Sequence, residues 1–335
     1  MLKEHLTNLF NNVATFKGFD EDTNKNPYLV YLGDDEYRSI LWEGVYEGQR
    51  AMMTVSPFED LADANLDLQA YSRARHSLEI EYPDALVIPE ILAADFWSDS
   101  MWQAWYRIQA LPPEGKRIVP MNRYPVVTDG ELNTLLRIFS HTKAVFKRVR
   151  GFQVRKMTCT EYFFSTLNKR LEDVRRFAPK QFLDEDSRDW RMHQLIQRAQ
   201  IIRMEYFFGL FGVTDIIESA GRYYIWNVDI KHMPAGMPIA YAVWNLILYG
   251  LKNLSQKEFS LALKRWIEYF SESRYLNEAE KYGFNPCLAE RIFSTLIIDL
   301  PAARSPFRGL SERKLRAHTK LLDKETSGLL PIPGL

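Results

Sequence analysis

Residues 28–57 read YLVYLGDDEYRSILWEGVYEGQRAMMTVSP, and this stretch decides the fold. Tyr28–Leu32 is rich in β-forming side chains, Gly33-Asp34-Asp35 reads as a turn, and Arg38–Tyr46 mixes apolar and polar residues in extended style. Glu47-Gly48 makes a second turn before Arg50–Val55, and Pro57 closes the run. Two hairpin-like turns in so short a space predict a small antiparallel sheet. Upstream, MLKEHLTNLFNNVATF lacks the continuous apolar stretch of a signal peptide; Leu2, Leu6, Leu9, Phe10 and Val13 trace one face of an amphipathic helix. Downstream, 59–80 reads as a helix on Leu61, Leu66, Leu68, Ala70, Tyr71 and Leu78. Strands are expected at Ala85–Ala93 and Met101–Leu111, ending in Pro112-Pro113-Glu114-Gly115.

From Asp129 onward helices dominate. Thr128 or Asp129 can cap a helix containing Leu132, Leu135, Leu136, Phe139 and Val145. Helices are expected at about 160–177 and 187–207. A loop follows at 208–212, with two short extended pieces around Ala220-Gly221. The apolar run Met237–Leu251 contains Pro238 and Asn245 and is shorter than the ~20 residues a membrane span needs, so it reads as a buried helix. Ser255-x-x-Glu258 is a capping box opening a helix on Phe259, Leu263, Trp266, Ile267 and Phe270. Pro286 is expected to open a last helix through Leu300. The reading divides the chain into a helical extension (1–27), a β-rich lobe (28–111), a helical lobe (112–322) and a mobile tail (323–335).

The formal net charge is zero, which argues against general affinity for nucleic acid. The charge is unevenly placed: residues 1–136 carry 11 Lys/Arg against 22 Asp/Glu, and residues 137–203 carry 16 against 7. These are the first surfaces to suspect in binding a partner, although solvated helix faces have the same look. The basic stretch His141–Lys156 interleaves Val145, Phe146, Val149 and Phe152, as a helix packed on one side does. Cys159 and Cys287 form no disulfide framework or zinc pattern, and the six histidines have no metal-binding spacing, so a cytoplasmic protein without a membrane partner is expected.

The order of a small β-rich lobe and then a larger helical lobe resembles the aminoglycoside phosphotransferase and choline kinase branch of the kinase-like fold, an α+β class. Tyr106-Arg-Ile-Gln-Ala-Leu-Pro-Pro-Glu-Gly115 resembles that family's fifth strand and hinge, which implies nucleotide-base contacts at Gln109 and Leu111. Val87-Ile-Pro-Glu-Ile-Leu92 resembles its fourth strand. Gly209-Leu-Phe-Gly-Val-Thr-Asp-Ile-Ile217 resembles its catalytic loop, usually H-G-D-x-x-x-x-N, in spacing and first glycine. Asp229, after Tyr223-Tyr-Ile-Trp-Asn-Val, resembles the Asp on the following strand, and the helix at 237–251 falls where the family has its buried organising helix.

Phosphoryl transfer needs a phosphate cradle, a cation on the phosphates, Mg²⁺ and a group that positions the acceptor. By the resemblance, Leu210 occupies the catalytic Asp position and Phe208 that of the preceding His; an alkyl side chain orients no hydroxyl and accepts no proton. Thr54 stands near the third-strand Lys. Gln69 stands about where the Lys-pairing Glu falls, and the cradling turn at Gly33 carries Asp34, Asp35 and Glu36, which repel a polyphosphate. Asp215 and Asp229 survive as carboxylates suited to Mg²⁺, or serve as a loop-capping and a turn Asp. The resemblance therefore implies a catalytically degenerate pseudokinase acting as a binding or scaffolding module. The alternatives are an active ATP- and Mg²⁺-dependent small-molecule phosphotransferase with a displaced constellation, and an unrelated α+β interaction protein.

Overall fold

The Glu47-Gly48 turn joins β3 (Glu36–Tyr46) to β4 (Gln49–Pro57), antiparallel and in register from Tyr46↔Gln49 to Ile40↔Val55. The computed structural model describes residues 1–33, 36–57, 68–82, 86–118, 128–146, 157–177, 193–208, 216–225 and 230–294. These fall into two units. The first takes the described residues of Met1–Gly115 and Ile217–Asp229, and the second takes most of the remainder from Lys116 onward.

In the first unit one edge of β3 is shared. β2 (Tyr28–Gly33) pairs with its first half, and the short β1 (Phe19–Glu21), which the sequence reading does not anticipate, pairs with its second half. β7 (Gln103–Ala110) pairs with β4, and β6 (Ile91–Ser98) pairs with β7, completing a sheet of order β1-β3-β4-β7-β6. Its strand pairs are antiparallel throughout, as expected from 28–57.

Alternation sorts the side chains of this sheet into two faces. Ala51, Met53 and Val55 of β4 and Ala104, Tyr106 and Ile108 of β7 form one buried cluster with Leu6, Leu9, Phe10 and Val13 of α1 (Lys3–Lys17). Each of those four α1 side chains is fully buried, worth about 1.5–3 kcal/mol apiece for residues of this size. Leu2 departs from the expected stripe. It is the extended N-cap residue, out of helical phase, and is half exposed.

The expected strand Ala85–Ala93 is interrupted. β5 covers only Leu86–Val87 and pairs in parallel with β11 (Arg222–Ile225), and β6 begins at Ile91. Pro89 has no N–H for a ladder, and its carbonyl instead accepts from Tyr71 Oη at 2.7 Å. β7 starts later than Met101 because Asp99 Oδ1 accepts the Met101 and Trp102 N–H groups at 2.7 and 2.6 Å, which makes that segment a turn. Of the helix expected at 59–80, α2 (Leu68–Glu81) is described, and its earlier residues lie outside the described set.

The second unit opens with the two-residue β8 (Lys116–Arg117) and α3 (Asp129–Phe146). Thr128 rather than Asp129 caps α3, through a reciprocal pair with Glu131: Glu131 N donates to Thr128 Oγ1 at 3.3 Å and Thr128 N to Glu131 Oε2 at 2.8 Å. α4 spans Cys159–Phe177, and α5 spans 193–199. The helix expected to run to 207 stops there, because Met204–Phe208 forms β9 and pairs antiparallel with β12 (Ile230–Pro234). α6 (Met237–Asn253) carries the apolar run, with Ile239, Ala240, Val243, Leu246 and Ile247 buried. Ser255 and Glu258 make the expected capping box of α7 (Gln256–Ser271), which buries Phe259, Leu263, Trp266 and Phe270.

α8 runs Glu278–Ser294 and contains Pro286 in its interior instead of starting there. Its start is fixed upstream by Asn277 and Glu280, each accepting the other's backbone N–H at 2.8 Å. The residues after 294, including the expected tail, lie outside the described set. Among the described residues no helix is long and apolar enough to cross a membrane. The architecture is α+β, an N-terminal antiparallel sheet followed by a helical region.

Candidate functional site

With Ala51, Met53, Val55, Tyr106 and Ile108 committed to α1, the residues between them on β4 and β7 share the opposite face. Met52 lies opposite Gln109, and Thr54 lies opposite Arg107. Thr54 is half-buried, whereas Gln109 and Arg107 are each 5% exposed. Arg107 Cζ stands 6.0 Å from the ring centroid of Trp105, its neighbour on the same face.

Helix α2 meets this face at Tyr71. Gln109 Nε2 donates to Tyr71 Oη at 3.2 Å, and the Tyr71 hydroxyl in turn donates to the Pro89 carbonyl. One turn along, Arg75 Nε donates to the Ile88 carbonyl at 3.0 Å, and the same guanidinium lies 3.0 Å from Glu79 and 3.7 Å from Glu90. Tyr71, Arg75, Glu90 and residues 91–94 line a small cavity of about 120 Å³ between α2 and β6. Gln69 falls in the first turn of α2.

At the end of β7 the backbone donors are already used. Ala110 N donates to Glu90 O at 2.9 Å and Leu111 N to Arg50 O at 3.0 Å. The following segment is fastened to the hairpin of β10 (Ile216–Ser219) and β11, where Ser219 Oγ donates to Glu114 O at 2.8 Å. A Cβ on Gly115 would stand 2.4 Å from the Glu218 carbonyl oxygen, so only glycine allows this approach.

The β10–β11 turn is Ala220-Gly221, both at positive φ (49° and 75°), as a two-residue hairpin of the primed type requires. β10 and β11 are neighbours in one sheet. The chain thus enters the hairpin just after Asp215 and leaves it shortly before Asp229, at the same end. Asp215, Asp229 and Leu210 themselves lie outside the described residues.

Of the residues singled out from sequence, Thr54 and Gln109 share one face, and Leu111 is joined to β4 through Arg50. Gly33 pairs with Glu36 at the tip of β2–β3. Sequence reasoning passed over Arg107 and Tyr71. The signal for Arg107 was present: a lone cation inside Trp105-Tyr106-Arg107-Ile108, a run otherwise suited to a buried strand. Among the described residues no group of three or more His, Cys, Asp or Glu side chains is placed to hold a metal.

No family model and no curated protein matches the chain by sequence. Solved structures do match its fold. A microcompartment-associated aminopropanol kinase aligns with TM-score 0.55 at 10% identity, over 96% of this chain and 95% of that one. Aminoglycoside phosphotransferase APH(4)-Ia aligns at 0.48 and 11% identity, over 97% and 98% of the two chains. With an antiparallel N-terminal sheet, its attached α2 and a helical C-terminal region, the chain has the kinase-like fold of the aminopropanol kinase.

Proposed function

We propose that this chain is a kinase-fold binding or scaffolding module that has lost phosphotransfer chemistry. The observation that supports it most is the make-up of the β4–β7 face. At the β4 position where phosphotransfer calls for a cation stands Thr54, and on that face Gln109 meets α2 through the neutral Gln109–Tyr71–Pro89 chain of hydrogen bonds. Leu210, at the position of the acceptor-orienting Asp, points the same way; loss of a general base removes about 10²–10⁴-fold in rate. A Leu111 N–H already bonded to Arg50 O also leaves one donor fewer for a nucleotide base.

The second reading, an active ATP-dependent phosphotransferase, is favoured by the hairpin alone. β10 and β11 are neighbours in one sheet, Asp215 immediately precedes that hairpin in sequence and Asp229 follows it, and two carboxylates fit the oxygen-ligand chemistry of Mg²⁺. Bound there, Mg²⁺ would neutralise charge on the phosphates. Incubation with radiolabelled ATP and a panel of amino-alcohol and aminoglycoside acceptors separates the readings. The module reading expects no product above a no-enzyme control. Product that disappears in Asp229→Ala overturns it.

A further inference from the structure

The positive charge absent from Thr54 has a counterpart one strand away. Arg107 lies directly opposite Thr54 in the β4–β7 register. Side chains so paired start about 5 Å apart and leave the sheet on the same side. That side is the one on which Gln109 meets Tyr71, away from the α1 cluster. The Arg107 side chain is almost fully covered, and Trp105 lies alongside its guanidinium. Arginine stays charged at any pH a protein survives, and its planar fork matches two phosphate oxygens at once.

We propose that Arg107 on β7 is the phosphate-binding cation of this chain, taking over from β4 the position that Thr54 leaves neutral. The ligand class is a nucleoside polyphosphate, held by its phosphates. The inference rests on reading the β4–β7 face as the nucleotide face. It is independent of whether transfer follows binding, because an arginine binds phosphate but supplies no base. The short, uncharged Thr54 side chain leaves room beside it for the longer guanidinium from the next strand. A Lys at 54 would place two cations opposite each other, which is unfavourable for a cross-strand pair.

The test measures ATP, ADP and adenosine affinity by calorimetry for the full chain, Arg107→Thr, Arg107→Lys, and the transposed double variant Thr54→Lys with Arg107→Thr. The expected result is ATP binding by the unaltered chain, weakened about 10- to 100-fold in Arg107→Thr, as loss of a charge-assisted bond implies. Adenosine affinity stays the same, and the transposed variant recovers ATP affinity to within a few-fold. If Arg107→Thr does not fold, Arg107→Lys carries the comparison: a several-fold loss for ATP with adenosine unchanged. An unaltered chain that binds no ATP overturns the inference and leaves the module reading standing. So does a folded Arg107→Thr or Arg107→Lys variant with undiminished ATP affinity, or a folded transposed variant that fails to recover it. ATP turnover that still depends on Arg107 overturns the module reading and leaves this inference standing.

Discussion

Lys143 of α3 and Glu280 of α8 form an ion pair across 137 residues of sequence, with only 12% and 6% of their side chains exposed. Glu280 also accepts the Asn277 N–H, so one carboxylate both starts α8 and joins it to α3. Removing the cation alone leaves a buried carboxylate with half its partners. Lys143→Met is expected to destabilise the protein by about 3–5 kcal/mol. Lys143→Met with Glu280→Leu should recover part of that, short of the lost cap. Urea midpoints at constant slope measure both.

The Gln109–Tyr71–Pro89 chain makes a second prediction. Tyr71→Phe leaves the buried Gln109 amide and Pro89 carbonyl without this partner, at about 1–3 kcal/mol. Gln109→Leu combined with Tyr71→Phe should cost less than the sum of the two single changes. A double-mutant cycle on thermal unfolding reads the coupling, and strict additivity would show that the two groups do not act together.

Ala220 holds positive φ without a glycine's freedom. Ala220→Gly or Ala220→Asn should therefore raise stability by about 0.5–1 kcal/mol while leaving the hairpin in place. A lowered melting temperature in both variants would contradict the turn described here.

Burial pushes the Cys159 thiol up to about 12 from an ordinary 9, and burial likewise raises Cys287 well above that ordinary value. Neither thiol should react with a disulfide reagent at pH 8 until the protein unfolds. The sign of the linkage follows. Below pH 9 both states hold the proton, so these groups make stability independent of pH. Between about 9 and 12 the unfolded chain loses protons that the folded chain keeps, and stability falls with rising pH. Prompt labelling of the native protein at pH 8 would contradict the burial of both residues.

The small sheet was legible because its signals are local: Glu47-Gly48 is a turn by chemistry, and alternation in Arg50–Val55 sets a face. The Ser255 capping box was legible for the same reason, whereas at the start of α3 the sequence left Thr128 and Asp129 as alternative caps. What the sequence hid depends on distant partners. Met204–Phe208 continues a helical pattern until β12 is there to pair with it, and Pro286 looks like a helix start until Asn277 and Glu280 place the start eight residues earlier. Thr54 and Gln109 were found by analogy with other kinase-like chains. Arg107 was not, since only the β4–β7 register shows that it faces Thr54.

The packing of α1 on the sheet bears on how this chain is made. Leu6, Leu9, Phe10 and Val13 leave the ribosome ahead of every strand they cover, and the last of those strands ends at Ala110. For much of the first unit's synthesis, that greasy stripe has nothing to rest on. A nascent chain stalled before β7 should bind hydrophobic-patch chaperones, and one extended past Ala110 should release them.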